Sequence, residues 1–200
     1  EYELIILANR TGTTIRGKKN SNQLIFDIPQ SIMHDTEAKQ KYIPSVISKM
    51  FAAEMEELIH SINGRTIQGK LGNVTLRSAS SRWGSCTGRN DIMISNRLLL
   101  APTDILDHVI IHELAHIVHK DHSIKFWRLV AAHDVSMKAH HHWLKVHGST
   151  LLFLTVFTFT KKTWKVSKFS LSIRISSKGE IIRSKITFRI IFGLGEYPTS

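Results

Sequence analysis

Residues 104–118 read DILDHVIIHELAHIV, and no other stretch constrains this 200-residue chain as much. Apolar side chains stand at 105, 106, 109, 110, 111, 114, 115, 117 and 118 and cover most of the circumference of a helix. Such a helix belongs inside a fold, yet it carries His112, Glu113 and His116. Burying those three groups costs several kcal/mol unless something satisfies them. The rest of the chain must therefore wrap this helix and supply a partner for its polar face. A metal ion accounts for all three groups at once.

The spacing specifies the chemistry. His112 and His116 are four apart, so on a helix both imidazoles leave one face a turn apart. Two neutral nitrogens can then reach one tetrahedral Zn²⁺ at ~2.0–2.1 Å. Glu113, beside the first ligand, is placed to take a proton from a metal-bound water. The chemistry implied is metal-assisted hydrolysis, most often of a peptide bond, with one Zn²⁺ per chain.

A third ligand is needed. His119 shares the face of His112 and His116 but lies ~10 Å beyond His112 along a straight helix, too far to touch the same ion. His122 follows Lys120-Asp121, where the helix can end and the chain fold back, and it is assigned as the third ligand. His119 is placed at the rim or behind the ligands, and a downstream acid such as Asp134 is the weaker alternative. The spacing from His112 to His122 is that of the metzincin pattern, but His119 stands where metzincins carry the glycine that helps the chain turn.

Several segments around this helix form a set. Arg82-Trp83-Gly84-Ser85-Cys86 is followed by Asn96-Arg97-Leu98, Ala101-Pro102 and His112-Glu113-Leu114-Ala115-His116. Next come His122-Ser123, Phe126-Trp127 and Trp143-Leu144. In this order the set resembles the YgjP-like metallopeptidases, from about Tyr2 to Gly148 and weakly before Leu71. The resemblance implies a zinc-dependent peptidase, related in site plan to the SprT and WLM metalloproteases. Carried over by position, it makes His112, His116 and His122 the metal ligands and Glu113 the general base. It also favours His122 over His119.

Composition sets the outer bounds. At 42% hydrophobic the chain can bury a core, and one cysteine, Cys86, excludes an internal disulfide and suits a reducing compartment. No run approaches the ~20 apolar residues that span a bilayer. The opening Glu1-Tyr2-Glu3 carries no cationic leader, so a cytoplasmic protein is expected. Net charge is +11, of which residues 151–200 hold +7, from nine Lys and Arg against two acids. That basic surplus could attract nucleic acid or serve only as a solvated face. Two alternatives to a free-standing peptidase follow. One is a nucleic-acid-associated protease acting on DNA-bound proteins, and the other a zinc-stabilised module without catalysis. Glu113 argues against the second, since a structural site needs no general base.

The expected fold is α+β and zincin-like. A small twisted β-sheet packs on the H-E-x-x-H helix and further helices, and a β-prone C-terminal extension follows. The division is a metallopeptidase domain over 1–148 and a basic extension over 149–200. Short β-prone runs are read at 4–7, 13–15 and 23–27, with a polar turn at 18–22 and Pro29 as a stop. The pattern is helical from Thr36 to Ile62, with apolar positions at three- to four-residue intervals, and Pro44 within it predicts that the main helix starts near that proline and runs to about Ile62, ended by Asn63-Gly64. Strands are read at 74–77 and 91–95, the latter as the edge that pairs with an extended substrate. Ser123 is read as the cap of a helix through Phe126 and Trp127, which clamp the His122 turn, and Met137 as ordinary packing. Cys86 is read as a small buried thiol. His140-His141-His142 cannot all face one ion on a helix and are read as a surface cluster. Residues 176–180 predict a hairpin turn in the extension.

Overall fold

The computed structural model describes residues 3–9, 12–21 and 23–151, with strands within 169–193. It is α+β, with small mixed sheets and five α-helices among the described residues. In the first sheet β1 (Glu3–Asn9) lies parallel to β3 (Gln23–Pro29), and β2 (Arg16–Lys19) pairs with β3 antiparallel. Leu24, Phe26 and Ile28 alternate inward along β3, the period-2 pattern of a half-buried strand. The second strand begins later than the apolar pattern of 13–15 suggests. Lys18 and Lys19, expected in the turn, pair with Ile25 and Leu24, and the turn starts at Asn20, whose N–H donates to the Gln23 carbonyl.

Helices α1 (Thr36–Met50) and α2 (Ala52–Arg65) replace the single helix expected from Pro44. The start lies earlier because Asp35 caps it, its carboxylate accepting the Ala38 N–H, so Pro44 sits inside α1. Asn63 does not end α2 but turns inward, exchanging both of its amide bonds with the backbone of Gly69. Ile43, Ile47, Met55, Ile59 and Ile62 form the buried stripe of this helix pair.

The second sheet carries the site. Its order is β4–β6–β5, with β4 (Val74–Arg77) parallel and β5 (Gly84–Cys86) antiparallel to the central β6 (Ile92–Ser95). The strand expected to be the substrate edge, β6, is therefore paired on both sides. Among the described residues β4 and β5 form the edges, and β5 is the edge packed against α3. It was invisible to periodicity because Gly-Ser-Cys offers only three residues of weak β propensity.

Helix α3 (Thr103–Val118) packs against α2, β5, α4 (Ile124–His133) and α5 (Met137–His147). Ile110 and Leu114 are fully buried, each worth about 1.5–3 kcal/mol of apolar transfer. Ser123 precedes α4 as expected, but its side chain makes no cap bond; instead the Asp121 carboxylate accepts the Ser123 N–H. Beyond residue 151, β7 (Phe169–Ser177) and β8 (Glu180–Phe188) pair antiparallel up to Ser177 opposite Glu180. That ladder is consistent with the expected hairpin, while residues 178–179 and the stretch 152–159 lie outside the described residues. A last strand, β9 (Ile190–Gly193), lies parallel to β1.

Candidate metal centre and active site

One helical face of α3 and the turn after it build the centre. The helix ends at Val118, His119 takes an extended conformation, and His122 returns over the helix. One ring nitrogen from each of His112, His116 and His122 then lies within 4.8 Å of the others. The Nε2 atoms of His112 and His122 are 3.1 Å apart. Two nitrogens bound at ~2.0–2.1 Å to a tetrahedral ion would stand about 3.3 Å apart, so the pair is close to that spacing.

The proton inventory points the same way. His116 Nδ1 lies 2.9 Å from the His119 carbonyl, which can only accept, so Nδ1 carries the proton and Nε2 keeps its lone pair. His119 thus meets His116 through its backbone, and its imidazole is not in the cluster. Burial, followed by the neighbouring His116 and His122, pushes His112 down to about 3, leaving it neutral. Burial likewise lowers His116. Neutral imidazoles are what a metal requires. Phe126, fully buried, stacks on His116 with ring centres 4.5 Å apart, and Trp127 lies 5.6 Å from His122. Both aromatics therefore do hold the His122 turn.

Glu113 points to the other flank of α3, toward β5. A Cβ placed on Gly84 would lie 2.5 Å from both Cγ and Oε1 of Glu113. Position 84 therefore has room only for hydrogen, and this explains the glycine in the Arg-Trp-Gly-Ser segment. Glu113 is 6% exposed, and burial raises its carboxyl to about 7 despite the opposing charge of Arg82.

Three supports around the site carry no signal in hydropathy. Lys120 Nζ donates to the Thr87 carbonyl at 3.1 Å and to Asn90 Oδ1 at 2.8 Å, tying the turn that carries His122 to the β5–β6 turn. That β-turn is fixed in its own right: Asn90 adopts a positive φ of 64°, and the Asp91 carboxylate holds the Asn73 N–H and the Thr87 hydroxyl. Arg97 donates to the carbonyls of Ser80, Gly148 and Leu151, and its guanidinium lies 4.2 Å from the centre of the Trp83 ring. The Trp83 and Arg97 signatures are thus one clamp on the end of α5. Cys86 is half-buried, not buried; burial raises its thiol although Lys120 opposes it, the reverse of an activated nucleophile.

A pattern for the YgjP-like metallopeptidase domain matches residues 1–147. The chain belongs to the YgjP-like metallopeptidase family. This YgjP-like domain spans β1 to β6 and all five described α-helices. No curated protein matches the chain. A solved structure, the metallopeptidase zymogen of Pyrococcus abyssi abylysin, is similar at 23% identity over 38% of this chain and 75% of its own, with a TM-score of 0.35. Among the described residues no helix is long and apolar enough to cross a membrane.

Proposed function

We propose that this chain is a zinc-dependent peptidase in which His112, His116 and His122 hold one Zn²⁺ and Glu113 is the general base. The observation that carries the reading is the convergence of three imidazole nitrogens, two of them 3.1 Å apart, beside a buried carboxylate. Three imidazoles suit zinc, with a fourth position left open. When bound, the ion would lower the pKa of water toward ~7 and polarise a carbonyl oxygen.

The remaining work falls to the chain's own groups. The carboxylate of Glu113 accepts the proton of the attacking water and delivers it to the leaving amine. Its burial suits this role, because a base raised toward neutral pH holds and releases a proton with little penalty. The edge strand β5 runs alongside the carboxylate, and its outer backbone groups can pair with an extended peptide, presenting a scissile bond across Glu113. The substrate is thus a peptide or an unstructured protein segment. The Glu113→Gln variant tests the base. It should retain zinc while hydrolysis of a denatured protein substrate falls by about 10²–10⁴; near-parental turnover would sink the assignment.

A further inference from the structure

A second group of metal-ligand types lies one turn back along α3: His108, Asp134 and His140. His108 is 2% and Asp134 8% exposed. Asp134 sits at the C-terminal end of α4, where its Oδ1 accepts the Ser136 N–H at 3.0 Å. Its Oδ2 lies 2.6 Å from His108 Nδ1 and 3.0 Å from His140 Nδ1. Distance decides what holds this group together. Ligand atoms around a tetrahedral zinc stand about 3.3 Å apart, whereas N–H···O bonds are about 2.7–3.2 Å long and shorten when charge-assisted. The 2.6 Å contact is too short for two ligands of one ion and the 3.0 Å contact has ordinary hydrogen-bond length, so both fit proton bridges to one carboxylate oxygen.

We infer that His108, Asp134 and His140 form a proton-bridged tether that positions the zinc ligands on α3. The inference rests on the zinc reading above. His108, His112 and His116 are spaced i, i+4 and i+8, so they form one stripe along the helix. The rings of His108 and His112 are 6.4 Å apart between centres. The carboxylate of Asp134 gathers one imidazole from α3 and one from the first turn of α5, and it stands itself at the α4–α5 junction. Three elements are thereby locked to one oxygen, which fixes the rotation of α3 about its axis. That rotation sets where His112 and His116 aim their nitrogens. His122 lies in the turn that enters the other end of α4, so the tether also sets its height over the stripe. Burial lowers the pKa of His108, keeping it neutral with its single proton directed at Asp134. These are positioning residues, since none of them belongs to the His112–His116–His122 group.

The test uses the full chain with zinc alone as the probe. Zinc affinity is measured by chelator competition, with thermal midpoint and stoichiometry, on the parent and on Asp134→Asn, His140→Ala and His140→Gln. A core control, Ile28→Val, loses stability far from the site. The parent should bind one zinc. Asp134→Asn and His140→Ala should weaken zinc about 10- to 100-fold, the range for outer partners of metal ligands. His140→Gln, which keeps an N–H donor, should recover much of that loss, and Ile28→Val should leave affinity unchanged. A downfield imidazole N–H resonance should be present before and after zinc addition and be absent in Asp134→Asn. If Asp134→Asn weakens zinc no more than Ile28→Val does, the tether only stabilises the fold. If the parent binds two zinc ions and Asp134→Asn loses one, the group is a metal site. Either result overturns the inference and leaves the first site intact. A parent that binds no zinc overturns both, and is recognised before any variant is compared.

Discussion

The two halves of α3 carry similar residue types and do different things. Toward its C-terminus, His112 and His116 meet His122 with one ring nitrogen of each gathered within 4.8 Å of the others. Toward its N-terminus, His108 meets Asp134 and His140 with a proton available for every acceptor. Composition alone makes both look like metal sites. What separates them is the chemistry of the gathered atoms: three ring nitrogens in one group, and two imidazoles on one carboxylate oxygen in the other. On the proposed reading the first group is the working half and the second the anchoring half.

The sharpest way to break that division is at Glu113. Its replacement by Gln should lower turnover by about 10²–10⁴ while zinc stays bound; loss of zinc together with activity would make Glu113 part of the anchor. Next in size is Gly84→Ala. The added methyl must displace either the Glu113 carboxylate or β5, and a shift of about 1 Å can cost ~10²-fold. Zinc content should not change, so unaltered kcat/KM in a zinc-loaded Gly84→Ala protein would remove β5 from the site.

A third prediction concerns stability and pH. Burial lifts Glu113 from its ordinary 4.5 to about 7. Between those values the folded state binds a proton that the unfolded state has released, so the carboxylate costs the fold progressively more as pH rises through the window. The metal-free Glu113→Gln protein does not titrate there. Relative to the parent, it should gain up to about 3 kcal/mol between pH ~4 and pH ~8. A pH-independent difference in denaturant midpoints would contradict this. The smallest effect belongs to the frame outside α3. Arg97→Lys forfeits the forked bonds to Gly148 and Leu151 and the stacking on Trp83. It should cost about 1–2 kcal/mol of stability and leave zinc affinity unchanged. A lost zinc site in that variant would mean that the clamp, too, serves the working half.

The gathering of His112, His116 and His122 was largely legible in the sequence. An apolar pattern around the whole circumference of 104–118 marks a buried helix, and its polar exceptions mark the site. His122 was reachable because Lys120-Asp121 leaves room for a turn before it. Other features depend on tertiary contacts that no local pattern records. The helical pattern was read from Thr36 and Pro44 as the start of the main helix, but the Asp35 cap starts α1 at Thr36 and leaves Pro44 inside it. The edge strand β5 is too short and too poor in β-formers to stand out, so the substrate edge was assigned to β6, which lies at the centre of its sheet. The His140–His142 run read as a surface cluster. That holds for the exposed His141 and His142 but not for His140, which turns toward a carboxylate six residues back. The glycine at 84 was visible as part of a signature, whereas its reason, the carboxylate pressed against it, belongs to the fold.

The most direct test of the central claim is zinc content by mass spectrometry on the tag-free protein, beside His122→Ala and His140→Ala, each equilibrated with zinc and then freed of excess. The working half predicts one zinc per chain in the parent, none in His122→Ala, and one, held more weakly, in His140→Ala. Zinc retained in His122→Ala and lost in His140→Ala would reverse the two halves and place the metal at Asp134.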